Sequence, residues 1–251
     1  MLQISRTLAG IGIVTACLSA QAAADFITPG AYGWVRGDAD SAYFEWDLFT
    51  SASGGNAPDI GQFPGELPDG WVTPDVIDST GTAFVTGSGN FYSPFGPINL
   101  RVTVPNYGYG SGQTTLLVQV ATEGNELDYD GVRAMGETPV ETTFITREVG
   151  DMGFAVEVLF AFTIGGNPGE IVIDIPTADA HVSVDRIAVD TLALADACVG
   201  DFDGDGSVDT RDVIAFLNAW TSGDGSADVN GDGSVNTQDV IAFLNFWTSG
   251  C

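Results

Sequence analysis

The chain holds 251 residues, 44% of them hydrophobic, which is enough for a packed core and for one medium domain beside a small one. Its seven basic residues are all Arg and face 34 acids, and the resulting net charge of −27 makes nucleic acid and anionic membrane surfaces poor partners. Divalent cations, neutral glycans and basic protein surfaces remain.

Residues 1–24 read as a secretory signal peptide. Arg6 supplies a positive start, Leu8 to Leu18 an apolar run too short for a stable anchor, and Ala22-Ala23-Ala24 a small-residue cleavage site before Asp25. Cleavage there removes one Arg and no acid, so the mature charge is expected to be −28, with no membrane span. "VTAC", ending at Cys17, is similar to a bacterial lipoprotein box and gives lipidation at Cys17 as a second reading. Both readings predict export by a bacterium, to the extracellular space, cell surface or envelope.

Residues 25–190 show no helical period and many short alternating runs between Gly and Pro. In "FAVEVLFAFTI" the residues Phe154, Val156, Val158, Phe160, Phe162 and Ile164 share one face, which predicts a strand with one buried side. "INLRVTV" and "EIVIDI" repeat the pattern, and further strands are expected near Tyr32–Arg36, Tyr43–Phe49, Ala83–Thr86, Leu116–Ala121 and Thr142–Val149. In "HVSVDRIAVDTL" the apolar parity slips between Val184 and Ile187, which predicts a bulge. Roughly ten strands with turn signals between them predict a mainly β fold, an antiparallel, jelly-roll-like β-sandwich. "AYGWVRGDADSAYFEWDLF", "GNAPDIG" and "FVTGSGNFYS" loosely resemble a group of bacterial exported sandwich domains, a resemblance that implies export and fold and no activity.

No catalytic residue emerges from this stretch. His181 is the only histidine, sits in a strand-like run and reads as structural. "ELDYDG", from Glu126 to Gly131, reads as an ordinary acidic turn. Phe91, Tyr92, Phe95, Tyr107 and Tyr109 lie in glycine-rich loops, where aromatic rings either cap the core or stack on sugars; the core-capping reading leads.

Residues 191–197 read as a short linker to a module at 198–251, which contains the same sentence twice: "DFDGDGSVDTRDVIAFLNAW" from Asp201 and "DVNGDGSVNTQDVIAFLNFW" from Asp228. Oxygen-bearing side chains fall at positions 1, 3, 5, 9 and 12 of each loop: Asp201, Asp203, Asp205, Asp209 and Asp212, then Asp228, Asn230, Asp232, Asn236 and Asp239. Gly206 and Gly233 take the sharp turn, and Ser207 and Ser234 offer backbone carbonyls at position 7. That spacing suits calcium, a hard cation wanting six to eight oxygens, so two ions are expected. Loop one has five carboxylates and loop two has three, so the second should bind more weakly. Without a cation, repulsion should leave the module poorly ordered. Val213, Phe216, Leu217 and Trp220, and their counterparts Val240, Phe243, Leu244 and Trp247, predict two helices packed through apolar stripes, with Asp209 and Asn236 as N-caps. Cys198 and Cys251 flank the module, and in an exported protein they read as a disulfide.

Duplicated loop-and-helix units without entering helices resemble a type I dockerin. The Gly250-Cys251 ending and Cys198 are similar to the GC-type variant of bacterial exported proteins. The resemblance implies calcium-dependent folding and docking to a cohesin-like or surface-anchoring protein, with Thr210, Arg211, Thr237 and Gln238 choosing the partner. The leading expectation is a non-catalytic exported protein whose tail docks or anchors the sandwich. The alternative is a secreted polysaccharide-degrading enzyme or carbohydrate-binding module carried by the tail, with a glycan as ligand.

Overall fold

A computed structural model of the chain describes residues 26–63, 71–108, 112–150, 153–194 and 198–250. The signal-peptide residues 1–24, Cys17, Tyr109 and Cys251 lie outside them. In chain order the strands are β1 (Ser41–Trp46), β2 (Ile60–Gln62), β3 (Asp75–Asp78), β4 (Phe84–Val85), β5 (Phe91–Tyr92), β6 (Asn99–Pro105), β7 (Gln113–Gly124), β8 (Arg133–Ala134), β9 (Glu141–Gly150), β10 (Gly153–Gly165), β11 (Glu170–Pro176) and β12 (Val182–Leu194). The helices are α1 (Thr210–Ser222) and α2 (Thr237–Ser249). The protein is mainly β, as its alternating runs predict.

Two antiparallel sheets form. The larger has the order β2-β1-β12-β7-β10-β9, with the β4–β5 hairpin joined to β12 through β5; the smaller runs β3-β6-β11-β8. Their inner faces share one core, with Trp46, Val118, Phe160, Phe162 and Val189 from the first sheet and Leu100, Val102, Ile171, Ile173 and Ile175 from the second. Each set recurs at every second residue, so the pleat turns all of them inward together. β12 lies between β1 and β7, and its register shifts between Val184 and Arg186, where the parity slip predicts a bulge. β12 also runs through Leu194, past residue 190.

Three expectations are corrected. Tyr32–Arg36 is not a strand. Pro29–Tyr32 is a 3₁₀ turn closed by Gly33 at φ 95°, a left-handed conformation that glycine adopts without a Cβ clash. β10 is not buried on one face only, because Leu159 and Ala161 on its outer side are 0% and 3% exposed. They pack with Leu117 and Trp34 in a second cluster. What covers them is the segment at 26–36. Ile27 exchanges two 2.9 Å hydrogen bonds with the Gln119 side chain. Arg36 grips the buried carboxylate of Asp190 at 2.7 and 2.9 Å. β9 slips register opposite Glu157/Val158, and Ile145, the residue skipped, joins the Trp34 cluster. Third, Leu217 and Leu244 leave the expected helical stripes: they are 40% and 41% exposed.

Candidate metal centre

The two loops fold alike because the same side chains meet the same backbone amides. In the first, the Asp201 carboxylate accepts from the N–H groups of Asp205 (3.1 Å) and Gly206 (2.9 Å). Asp203 accepts from Asp205 N–H at 3.1 Å, and Asp205 from Ser207 N–H at 3.0 Å. In the second, Asp228 accepts from Asp232 (3.1 Å) and Gly233 (2.8 Å), Asn230 from Asp232 (2.9 Å), and Asp232 from Ser234 (2.9 Å). Gly206 and Gly233, at φ 86° and 85°, make the turn that lets positions 1, 3 and 5 converge.

Carboxylate oxygens of Asp201, Asp203 and Asp205 lie within 4.8 Å of one another. Desolvation first, then repulsion from Asp205, Asp212 and Asp201, pushes Asp203 above the usual carboxylate range. A hard divalent cation reverses both effects, and an all-oxygen donor set of this spacing suits calcium. In the second loop Asn230 stands at position 3, so that loop gathers less negative charge.

Position 12 does more than the spacing suggests. Asp212 is fully buried. One of its oxygens accepts from Asp209 N–H at 2.7 Å, the other from Asp203 N–H at 3.1 Å, and these backbone amides hold it below the usual carboxylate range. Asp239 repeats the pair with Asn236 and Asn230. Asp209 and Asn236 cap α1 and α2 as expected, and each closes a capping box with the position-12 acid. A carboxylate oxygen that accepts one N–H keeps a second lone pair, so capping and metal binding are compatible.

Of the residues assigned to partner choice, Thr210, Arg211, Thr237 and Gln238 are all exposed on the first turns of the helices. Arg211 also turns back on its own loop, with its guanidinium 2.8 Å from Asp205. Gln238 brings no charge to the matching place.

Beneath the loops, Phe216 and Phe243 stack at 4.2 Å, and Phe202 meets both edge-on at 5.4 and 5.9 Å. The Trp220 indole N–H donates to the carbonyl of Asn236 at 2.7 Å, and that of Trp247 to the carbonyl of Asp209 at 2.8 Å. Each helix thus ends on the other unit's loop. The hydrophobic period places both tryptophans in the apolar stripe but is silent on their indole nitrogens. Sequence reasoning also missed Ile214 and Ile241, which are 61% and 63% exposed. They lie one turn beyond Thr210 and Thr237, and Leu217 and Leu244 follow three residues later.

In the preceding sandwich, His181 lies just before β12, exposed, and its ring meets the Tyr92 hydroxyl at 2.8 Å. Phe91 is buried, as the core-capping reading predicts, while Phe95 is 92% exposed. Glu126 is engaged by Arg147 at 2.7 and 3.0 Å, so the acidic turn closes on a basic side chain. Among the described residues, no helix is long and apolar enough to cross a membrane.

Comparison with curated proteins and with solved structures returned no match. A family signal falls on the duplicated units: residues 199–245, which take in both loops and most of both helices, match the family model of the dockerin type I domain.

Proposed function

We propose that residues 198–251 form a docking module folded around two calcium ions, which attaches the sandwich at 25–194 to a cohesin-like or surface-anchoring protein outside the cytoplasm. The observation that carries this reading is the duplicated exposed face. Thr210, Arg211, Ile214 and Leu217 on α1, and Thr237, Gln238, Ile241 and Leu244 on α2, leave apolar side chains in water beside polar ones. An exposed apolar patch with a polar border is how a protein-binding surface is built. The dockerin match supports the same reading.

The disulfide belongs to this proposal. Cys198 is disulfide-bonded, and a Cβ on Gly200 would lie 3.2–3.4 Å from the backbone of Phe246 and Trp247, so the module's two ends are neighbours. Both observations support pairing with Cys251.

The test retains the mature chain on a support and passes native exported and envelope fractions over it, with calcium and with chelator. The expected result is a partner held only in calcium and lost when Ile214 and Ile241 are both changed to Asp. Retention indifferent to calcium, or to that double change, would overturn the docking surface.

A further inference from the structure

The sandwich carries a groove that the docking reading does not use. It measures about 640 Å³ and lies between the β4–β5 hairpin, the end of β7 and the start of β12. Its wall is angular and aromatic: Phe84, 46% exposed, meets Tyr92 at 5.4 Å with the ring planes 68° apart. Asn90, Ser183, Glu123 and His181 supply polar groups around it.

His181 is held in an unusual way. Its φ of 63° lies in the left-handed region, which non-glycine side chains seldom occupy. Its backbone N–H donates to Ser93 at 2.5 Å, its carbonyl accepts from Asn125 N–H at 3.0 Å, and its ring meets the Tyr92 hydroxyl. Gly124 is pressed against the same residue, since a Cβ there would stand 2.2 Å from the His181 carbonyl oxygen. The side chain itself is exposed and lies on the groove wall. A side chain held in this way on a groove wall presents its ring to a ligand at little further ordering cost.

We propose that this groove binds a neutral oligosaccharide. Among the described residues its lining contains no Arg and its one carboxylate is Glu123, on a chain of net charge −27. An anionic ligand is therefore repelled. A purely apolar ligand would strand the amide, hydroxyl, carboxylate and imidazole groups. A sugar ring satisfies both halves of the wall, with its C–H face against Phe84 and Tyr92 and its hydroxyls toward Asn90, Ser183, Glu123 and His181. The volume accommodates a short oligosaccharide. This inference is independent of docking, because no groove residue lies in the helical module.

The test is affinity electrophoresis of the full mature chain through gels containing hydroxyethylcellulose, xylan, galactomannan or mixed-linkage β-glucan, with polygalacturonate as the anionic arm. At least one neutral polymer should retard the protein. Phe84→Ala should weaken that binding at least tenfold, while Phe144→Ala, on β9, should leave it unchanged. His181→Gly is the second variant. Glycine accepts the φ of this position, so the melting temperature should hold or rise while affinity falls about tenfold. Retardation by polygalacturonate alone, by no neutral polymer, or equally in wild type and both groove variants would overturn the proposal.

Discussion

At the scale of single residues, charge placement sets the metal chemistry. Arg211 lies 2.8 Å from Asp205, so the first loop carries its own cation beside three converging carboxylates. Arg211→Gln, which copies the second loop, should tighten calcium at the first loop about three- to tenfold, because a like charge near the ion is removed. Calorimetric titration of this variant beside the wild type would show it, and an unchanged or weaker first site would refute it. A different charge problem sits under the sandwich's outer layer. Glu157 is 5% exposed, and one of its oxygens has no hydrogen-bond partner. Burial raises its pKa, against a smaller lowering by Arg186. For an acid whose folded pKa is raised, ionisation costs stability as pH climbs through the unfolded value near 4.3, and the full cost stands above the folded value. Glu157→Gln should therefore raise the melting temperature at pH 7 by a few degrees, and the gain should shrink below about pH 4.5. A gain equal at both pH values would mean that ionisation is not its source.

At the scale of elements, the two loop-and-helix units are joined crosswise. Trp247→Phe removes the bond from α2 to the Asp209 carbonyl, at position 9 of the first loop. It should weaken calcium at the first loop about fivefold, on the basis of one hydrogen bond worth about 1 kcal/mol, and leave the second loop nearly unchanged. Trp220→Phe should do the reverse, and separate titrations of the two sites would report each effect. This crossing also marks the limit of what the residues declare on their own. Twelve-residue spacing, cap residues and the period of β10 are local patterns, and local patterns can be read directly. Leu217 and Leu244 obey the helical period yet face water, because the contact between the helices is made by Phe216 and Phe243, one position earlier in each. The covered outer face of β7 and β10 was equally hidden. It depends on Ile27 meeting Gln119, 92 residues away, and no periodicity within a strand encodes such a meeting. The groove at His181 is hidden for the same reason, since Tyr92 and His181 are 89 residues apart.

At the scale of the whole molecule, two units rest on different forces. The sandwich has a core shared by two sheets, whereas among the described residues the helical module buries three apolar side chains fully: Phe216, Ala227 and Phe243. A core that thin needs other supports. Chelator should abolish the helical circular dichroism of the tail and leave the β signal and the sandwich's melting transition in place. Loss of both signals together would show that one cooperative unit spans the chain. Reducing the proposed Cys198–Cys251 bridge should lower the module's stability by on the order of 4 kcal/mol for a closed loop of roughly 54 residues, read as a lower midpoint of its own transition. The order of the larger sheet has a consequence in time. Its middle strand, β12, is the last of the sandwich to be synthesised, and β1 and β7 can pair through it only once residue 194 has emerged. Until then Trp46 has no finished sheet to lie in, so the domain cannot assemble progressively from its amino end. Its folding is an act of closure, completed by one late strand just before the tail follows.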